Sequence, residues 1–351
     1  MSRHEAEMRY ELIESFSRAD DNGNAAAGTG GSPQAEAYHE PLGRLGAEEF
    51  VRDRPDAHWQ LRDGEGLIVG RCSLWWEETP EYKGHQVGLI GHYFVQDACA
   101  AERLLRHACG QLLAQGCTFA AGPMDRDIWR TYRMMTEFGT EPIFSLEPSN
   151  PKSWPGHWVE AGFEPIGEYF SSLNEDLASQ RVPVSHIEDR LRRRNIRVRP
   201  LDPTCFESEL RNLFEIIPAI FCGNPFFTPI DEDAFIDLYR PVEKLIVSDL
   251  VMVAECHDRP VGFIFCLPDV SQAKRGQAID TIIVKTLAVL PGQKYGGLGN
   301  LLLERAGSVA SELGYERLIH ALMRDIGRMR RISGRSARRM RGYTLFGREL
   351  S

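Results

Sequence analysis

Residues 282–303, IIVKTLAVLPGQKYGGLGNLLL, constrain this chain more than any other stretch. Residues 282–290 are β-branched and apolar and have the length of a strand. Pro291 and Gly292 close that run, Lys294-Tyr295-Gly296-Gly297-Leu298-Gly299 follow, and an amphipathic segment extends to Gly314. Strand, glycine loop and helix in that order leave backbone N–H groups free at a helix N-terminus, where the macrodipole favours an anion. Glycine permits positive φ and lets a phosphate approach the main chain closely. Spacing excludes two commoner phosphate loops. The chain has no G-x-x-x-x-G-K-[ST], and no G-x-G-x-x-G follows this strand.

A length of 351 residues suggests two domains rather than one small core. No apolar run reaches bilayer-spanning length and the N-terminus is charged, so no membrane association and a cytoplasmic location are expected. The eight cysteines are scattered, without C-x-x-C or paired Cys/His spacing. Reduced, mostly buried thiols are the expectation, and no metal site is expected. Net charge is −9, yet the C-terminal part is basic, with Arg317, Arg324, Arg328, Arg330, Arg331, Arg335, Arg338, Arg339, Arg341 and Arg348. Such a run is either a solvated helix face or a surface for a phosphate-rich ligand, coenzyme A or an RNA backbone.

Taken in order, residues 1–17 have the spacing of a short helix, and 19–37 are polar, small and glycine-rich, as in a flexible extension. Strands are expected at 58–62, 67–76 and 87–95, a helix at 98–115, a short strand at 118–121 and a helix at 154–161. In the segment after 121, Asp125, Asp127, Trp129, Arg130, Tyr132 and Glu147 bring polar and aromatic groups near a strand end. They would either line an acceptor pocket between two domains or pack the domains together. Residues 175–195 are apolar-poor, contain Arg192–Arg194, and read as a linker or connecting helix.

The second half repeats the plan. A strand is expected at 196–200, helices at 205–221 and 231–239 with Asp231 or the residue before it as N-cap, and a hairpin at 250–256 and 261–266. The glycine-loop unit then follows, with a strand at 317–323, a helix at 328–335 and a last strand at 343–346. The expected fold class is α/β, a mixed sheet flanked by helices, in two tandem copies.

The loop resembles motif A of the GNAT acyltransferases, whose pattern is [QR]-x-x-G-x-[GA]; Gly297 and Gly299 match, and Lys294 stands in the first position. The order strand hairpin, strand, helix, strand, helix, strand in each half is that of a GNAT core. EAGFEPIGEYF at 160–170 resembles the segment that closes that family's sheet. The chain is thus similar to tandem GNAT-like bacterial proteins over roughly 55–350. The resemblance implies a first domain at 38–174 and a complete, donor-binding domain at 196–351. The first copy has Gln96-Asp97-Ala98-Cys99-Ala100-Ala101 where the loop should be, with no glycine and with an acidic group that would repel a diphosphate. It is read as degenerate and without cofactor.

The resemblance also implies that the end of the strand near Val289 splays from residues 317–323. Leu287, Ala288 and Val289 would then bond a pantetheine arm. The N–H groups of Tyr295, Gly296, Gly297, Leu298, Gly299 and Asn300 would hold the diphosphate of acetyl-coenzyme A or another acyl-coenzyme A, with Lys294 adding a point charge. His320 is the candidate base and Asp280 a candidate to orient a cationic acceptor. The family's asparagine and tyrosine positions read Gly327 and Ser336, with Ser333 nearby, so the usual general acid is missing.

The expected reaction is amide formation between an acyl-coenzyme A and a small-molecule amine. An aminoacyl-tRNA donor, met by the arginine-rich terminus and Arg192–Arg194, is an alternative, and a non-catalytic ligand sensor is another. A homodimer is left open.

Overall fold

The computed structural model describes residues 10–17, 47–178, 183–326 and 337–351. In chain order its elements are β1 (Glu11–Ser17), α1 (Ala47–Asp53), β2 (Ala57–Arg62), β3 (Ile68–Trp75), β4 (Val87–Val95), α2 (Ala98–Ala114), β5 (Phe119–Gly122), β6 (Met134–Glu137) and α3 (Trp154–Glu160). They continue with β7 (Glu164–Asn174), α4 (Ser185–Arg192), β8 (Ile196–Pro200), α5 (Phe206–Phe214), α6 (Ile217–Phe221), α7 (Glu232–Tyr239), β9 (Val251–Cys256) and β10 (Arg259–Pro268). The last are α8 (Val270–Lys274), β11 (Thr281–Val289), α9 (Leu298–Glu312), β12 (Arg317–Arg324) and β13 (Arg338–Glu349).

The described residues divide into two compact units. One takes the residues up to Thr136 together with Pro148–Gly167 and Thr344–Ser351, and the other takes Glu137–Glu147 and Glu168–Tyr343. In the first, strands β1 to β4 form an antiparallel meander, and β4 then pairs parallel with β5. Helix α2 carries Leu104, Leu105, Ala108 and Leu112 on one buried stripe. That stripe packs against Leu61, Leu74 and Ile90 of the sheet and Trp158 of α3. Asp97 caps the helix, its carboxylate accepting from Ala100 N at 2.8 Å.

The second unit repeats this order. Strands β8, β9, β10 and β11 are successively antiparallel, and β11 pairs parallel with β12. Helix α9 buries Leu298, Leu301, Leu302, Ala306 and Ala310 against Ile282, Val284, Ile264 and Leu318.

Each unit is completed by a strand from a distant part of the chain. Residues 160–170 were expected to close the first sheet and 343–346 the second; the pairing is the reverse. In the second unit β12 pairs antiparallel with β7, from Leu318↔Asn174 to Arg324↔Tyr169. In the first unit β5 pairs antiparallel with β13, from Phe346↔Gly122 to Glu349↔Phe119. Both segments are long strands of 11 and 12 residues with a run of buried positions, so the local pattern does not name the edge each joins.

Smaller differences have local causes. The helix read over 1–17 is a strand over Glu11–Ser17, because those residues lie against β2. The helix read over 205–221 breaks into α5 and α6 next to Pro218, which cannot donate an N–H. Of the two N-cap candidates for α7, Asp231 is the cap, accepting from Ala234 N at 2.8 Å. The polar stretch after Pro268 contains the short helix α8. The extension over 19–37, the helix read over 328–335, Gly327, Ser333 and Ser336 lie outside the described residues.

Candidate functional site

In the second unit the parallel pairing of β11 with β12 runs only from Thr281↔Arg317 to Val284↔His320. β11 continues to Val289, still paired on its other side with β10 at Ile264↔Leu287, Phe263↔Ala288 and Gly262↔Val289. Its register with β10 shifts between Phe265 and Cys266, leaving Lys285 as an extra residue where the two parallel strands part. The edge of Leu287, Ala288 and Val289 that faces away from β10 therefore has no β12 partner. A strand edge of this kind accepts an extended, amide-bearing ligand as an added strand.

β11 leads into the glycine loop. Gly292 has φ +133°, residues Gln293–Tyr295 make one tight turn, and Gly297 has φ +86° as the N-cap of α9 with no side-chain cap. Tyr295 N and Gly296 N, expected among the phosphate donors, are engaged within the turn, bonding Gly292 O and Gln293 O, each at 3.2 Å. The first bond of α9 is Leu301 N to Gly297 O, at 3.0 Å. The N–H groups of Gly297, Leu298, Gly299 and Asn300 are left without a partner among the described residues. Four converging donors at the start of a 15-residue helix fit an anion such as a diphosphate. Lys294 is exposed nearby, its Nζ 4.7 Å from the Tyr295 ring centroid.

The carbonyls of the same loop point the other way, onto arginines. Arg190 of α4 donates to Gly296 O, and Arg194 just past α4 donates to Gln293 O at 3.2 Å and to Lys294 O at 2.8 Å. Helix α4 is fixed in turn by Arg305 of α9, which bonds Glu188 at 2.7 Å and Val198 O at 3.1 Å. The sequence gives a basic linker here but no signal that its arginines meet main-chain carbonyls.

Of the acid–base candidates, His320 stands at the last parallel pair, where the strands begin to part. Its residue is 8% exposed, its ring has no hydrogen-bond partner among the described residues, and burial lowers its pKa to about 4. It is therefore neutral at pH 7 and a weak base. Asp280 is not brought to this end. It precedes the first residue of β11, at the opposite end of the strand, and its carboxylate accepts from Gln272 Nε2 and Thr281 Oγ1, both at 2.6 Å. Burial works to raise its pKa, but those bonds and Arg317 outweigh it and hold the carboxylate ionised. A group so engaged orients its own loop. Ser336, the remaining candidate, falls outside the described residues.

One group missed by sequence reading lies beside the splayed strand. Tyr239, at the end of α7, is hydrogen-bonded to Thr286 and packs edge-on against Phe265 at 5.2 Å. Burial raises its pKa to about 12, so the hydroxyl stays protonated. No local pattern distinguishes it from an ordinary core tyrosine.

In the first unit the corresponding place is filled. Trp154 Nε1 donates to Val95 O at 3.2 Å, and Tyr93 is held edge-on by Trp154 and Trp158 at 5.0 and 5.2 Å. The Asp97 carboxylate occupies the N-terminus of α2. Asp125 accepts from His92 N of β4 at 2.6 Å, and Asp127 accepts from Trp129 N of its own loop at 2.9 Å, so both are engaged with main-chain N–H groups. Arg130 pairs with the buried Asp53 at 2.6 Å. A buried polar chain runs from His58 through Ser73 (2.7 Å) and His92 (2.9 Å) to Asp53 (3.2 Å). In the second unit Glu147 is buried with Arg341 at 2.9 Å and accepts from Tyr343. Burial raises its pKa against those bonds.

Among the described residues, several of the C-terminal arginines have internal partners. Arg317 and Arg338 pair with Glu141, Arg339 with Glu137 and Asp325, and Arg348 donates to Ala161 O. Among the described residues no group of three His, Cys, Asp or Glu is placed to hold a metal, and no helix is long and apolar enough to cross a membrane.

Comparison with solved structures defines the fold. The chain superposes over 98% of its length on a tandem GNAT protein from the clavulanic acid biosynthesis pathway, covering 99% of that chain with TM-score 0.52 and 12% identity. It also superposes, over 98% of its length, on the GCN5-related glucosamine N-acetyltransferase region of a fungal multi-domain GH3 β-N-acetylglucosaminidase. That match covers 38% of the larger chain, with TM-score 0.53 and 15% identity. The chain thus shares its fold with these GNAT proteins, one of them a tandem protein.

No family profile matches the chain. By sequence it is 26% identical over 223 residues to protein YghO of Escherichia coli, covering 59% of this chain. It is 25% identical over 228 residues to a bacterial ceramide synthase of Caulobacter vibrioides, covering 63% of this chain. The matches span 54% and 58% of those two proteins.

Proposed function

We propose that this chain is an N-acyltransferase that moves the acyl group of an acyl-coenzyme A thioester, acetyl-coenzyme A in the first instance, onto the amine of a small molecule. One observation carries the reading. The strand that loses its parallel partner at Val284 runs directly into a loop whose Gly297–Asn300 N–H groups are free. In a GNAT fold, a bare strand edge followed by an anion cradle matches a pantetheine arm followed by a diphosphate.

In this reading the Leu287–Val289 edge aligns the thioester, the four N–H groups hold the diphosphate, and Lys294 adds charge. The amine nitrogen attacks the thioester carbon and the C–S bond breaks. The proton leaving the nitrogen ends on water or on the departing thiolate. A backbone N–H on the unpaired edge stabilises the oxyanion. His320, neutral and weakly basic, accepts a hydrogen bond from the attacking amine. The test is to follow free thiol and product mass with acyl-coenzyme A donors of several lengths against a panel of amines. Amine-dependent thiol release with amide formation is expected. Coenzyme A binding without turnover would leave a ligand sensor, and no binding would remove the reading.

A second reading concerns the acceptor and is favoured by the likeness to the Caulobacter bacterial ceramide synthase. A ceramide is the amide of a fatty acid with a long-chain amino alcohol, so the amine here would be lipidic and the donor long-chain. A higher kcat/KM for such a pair than for short polar amines with acetyl-coenzyme A would support it. Among the described residues Arg317, Arg338, Arg339 and Arg341 are ion-paired, and none of the described residues specifically favours an aminoacyl-tRNA donor.

A further inference from the structure

The loop that carries the four free N–H groups has no side-chain cap of its own, and three of its carbonyls lie against the guanidinium groups of Arg190 and Arg194. A trans peptide is planar, so the carbonyl of one residue and the N–H of the next point in opposite directions. Holding Gly296 O toward Arg190 therefore turns Gly297 N–H to the opposite side, where Leu298, Gly299 and Asn300 N–H begin the helix. Holding Gln293 O toward Arg194 does the same for Lys294 N–H.

The fit is close. A Cβ on Gly297 would meet Arg190 Nη2 and Ile187 Cγ2, both at 3.0 Å. Arg190 is itself anchored. Its helix buries Leu191, and Glu188, two residues earlier, is bonded to Arg305 of α9. Two positive charges thus sit behind a loop whose donors face forward, and both act on an anion there with the same sign as the helix dipole.

We infer that Arg190 and Arg194 are positioning residues for a diphosphate-bearing donor: they hold the loop carbonyls back so that the Gly297–Asn300 N–H groups converge on the diphosphate. This rests on the proposed acyl-coenzyme A reading and adds to it a role for the segment between the two halves. The function belongs to the diphosphate end of the ligand and not to its pantetheine end.

The experiment is calorimetric titration of the full chain with coenzyme A and, separately, with pantetheine, which lacks the diphosphate. Wild type is compared with Arg190→Gln, Arg190→Lys and Arg194→Gln. Arg190→Gln is expected to weaken coenzyme A binding by about tenfold or more, the size of a lost charge-assisted interaction, with pantetheine affinity unchanged within about twofold. Arg190→Lys keeps the charge and can reach one carbonyl, so it should retain part of the affinity. Arg194→Gln, at an exposed site, makes the same comparison if Arg190→Gln does not fold. Coenzyme A binding equal to wild type in both glutamine variants would overturn the inference. So would an equal loss for coenzyme A and pantetheine, which would mean general damage to the site. Wild type failing to bind coenzyme A would remove the functional reading itself, an outcome distinct from either of these.

Discussion

A Cβ added to Gly297 would be strained twice, by φ +86° and by its 3.0 Å approach to Arg190 and Ile187, whereas one added to Gly299 would meet only Leu287 and Val289 at ordinary distances of 3.8 and 3.9 Å. The two glycines read alike in the motif but differ in kind. Gly299→Ala should leave the unfolding midpoint unchanged or slightly raised, since alanine is favoured over glycine in a helix by about 1 kcal/mol. It should still weaken coenzyme A binding, because a methyl group stands where a phosphate must approach. Gly297→Ala should lower both, with a stability loss of about 1 kcal/mol or more. Equal melting behaviour for the two variants would refute the distinction. The buried histidines give a pH prediction. Burial lowers the pKa of His58 to about 3, with His92 and Arg71 adding to the effect, and that of His320 to about 4. Both fall below the unfolded value, so their contribution is complete above pH 6.5 and is lost as pH drops. Between pH 6.5 and 4 each should cost about 3 kcal/mol. Urea unfolding across that range should show falling stability, with a shallower slope in His58→Asn.

At the scale of elements, β13 joins one end of the chain to the core of the first unit. Phe346 is 2% exposed, stacks on Trp158 at 6.1 Å and lies opposite Gly122 in the sheet. Phe346→Ala should destabilise that unit by about 3–5 kcal/mol. The loss should appear as reduced amide-exchange protection in β5, more than two hundred residues earlier in sequence, while β11 keeps its protection. Uniform loss across both strands would contradict it. This element also shows where sequence reading stops. Strand β4, helix α2 and the β11–loop–α9 unit are legible because apolar periodicity and glycine placement are local properties. Which edge β7 and β13 join is a non-local property, and neither strand's pattern distinguishes the two choices. β1 was misread because alternation over a few residues at a chain end looks like one face of a helix until a partner strand fixes it. The cradle glycines were legible by type. That Tyr295 and Gly296 N–H serve the turn instead, and that Arg190 and Arg194 brace the carbonyls, depends on backbone orientation that residue identity does not carry.

At the scale of the molecule, the exchanged strands mean that a cut after Asn174 would not release two complete units. A fragment of residues 175–351 would lack β7, leaving the β12 edge bare. It would also lack the Glu137–Glu147 segment, so the buried Arg341 guanidinium and Tyr343 hydroxyl would lose Glu147. Leaving a buried charge unpaired costs about 3–5 kcal/mol, a large share of a domain's stability. A fragment of residues 1–174 would lack Phe346 and Leu350 from the core around Trp158. Neither fragment alone should unfold cooperatively, although the first contains the entire donor cradle. Co-expressed with a tag on one, the two should copurify, because each carries the strand that the other's sheet needs, and a cooperative transition should return. Coenzyme A binding should accompany the reassembled pair and be absent from residues 175–351 alone. A cooperative melt of either fragment at the full-chain midpoint would show that the strand pairings contribute little. The cradle would then depend on local structure alone, and binding by the isolated fragment would be the direct sign of it.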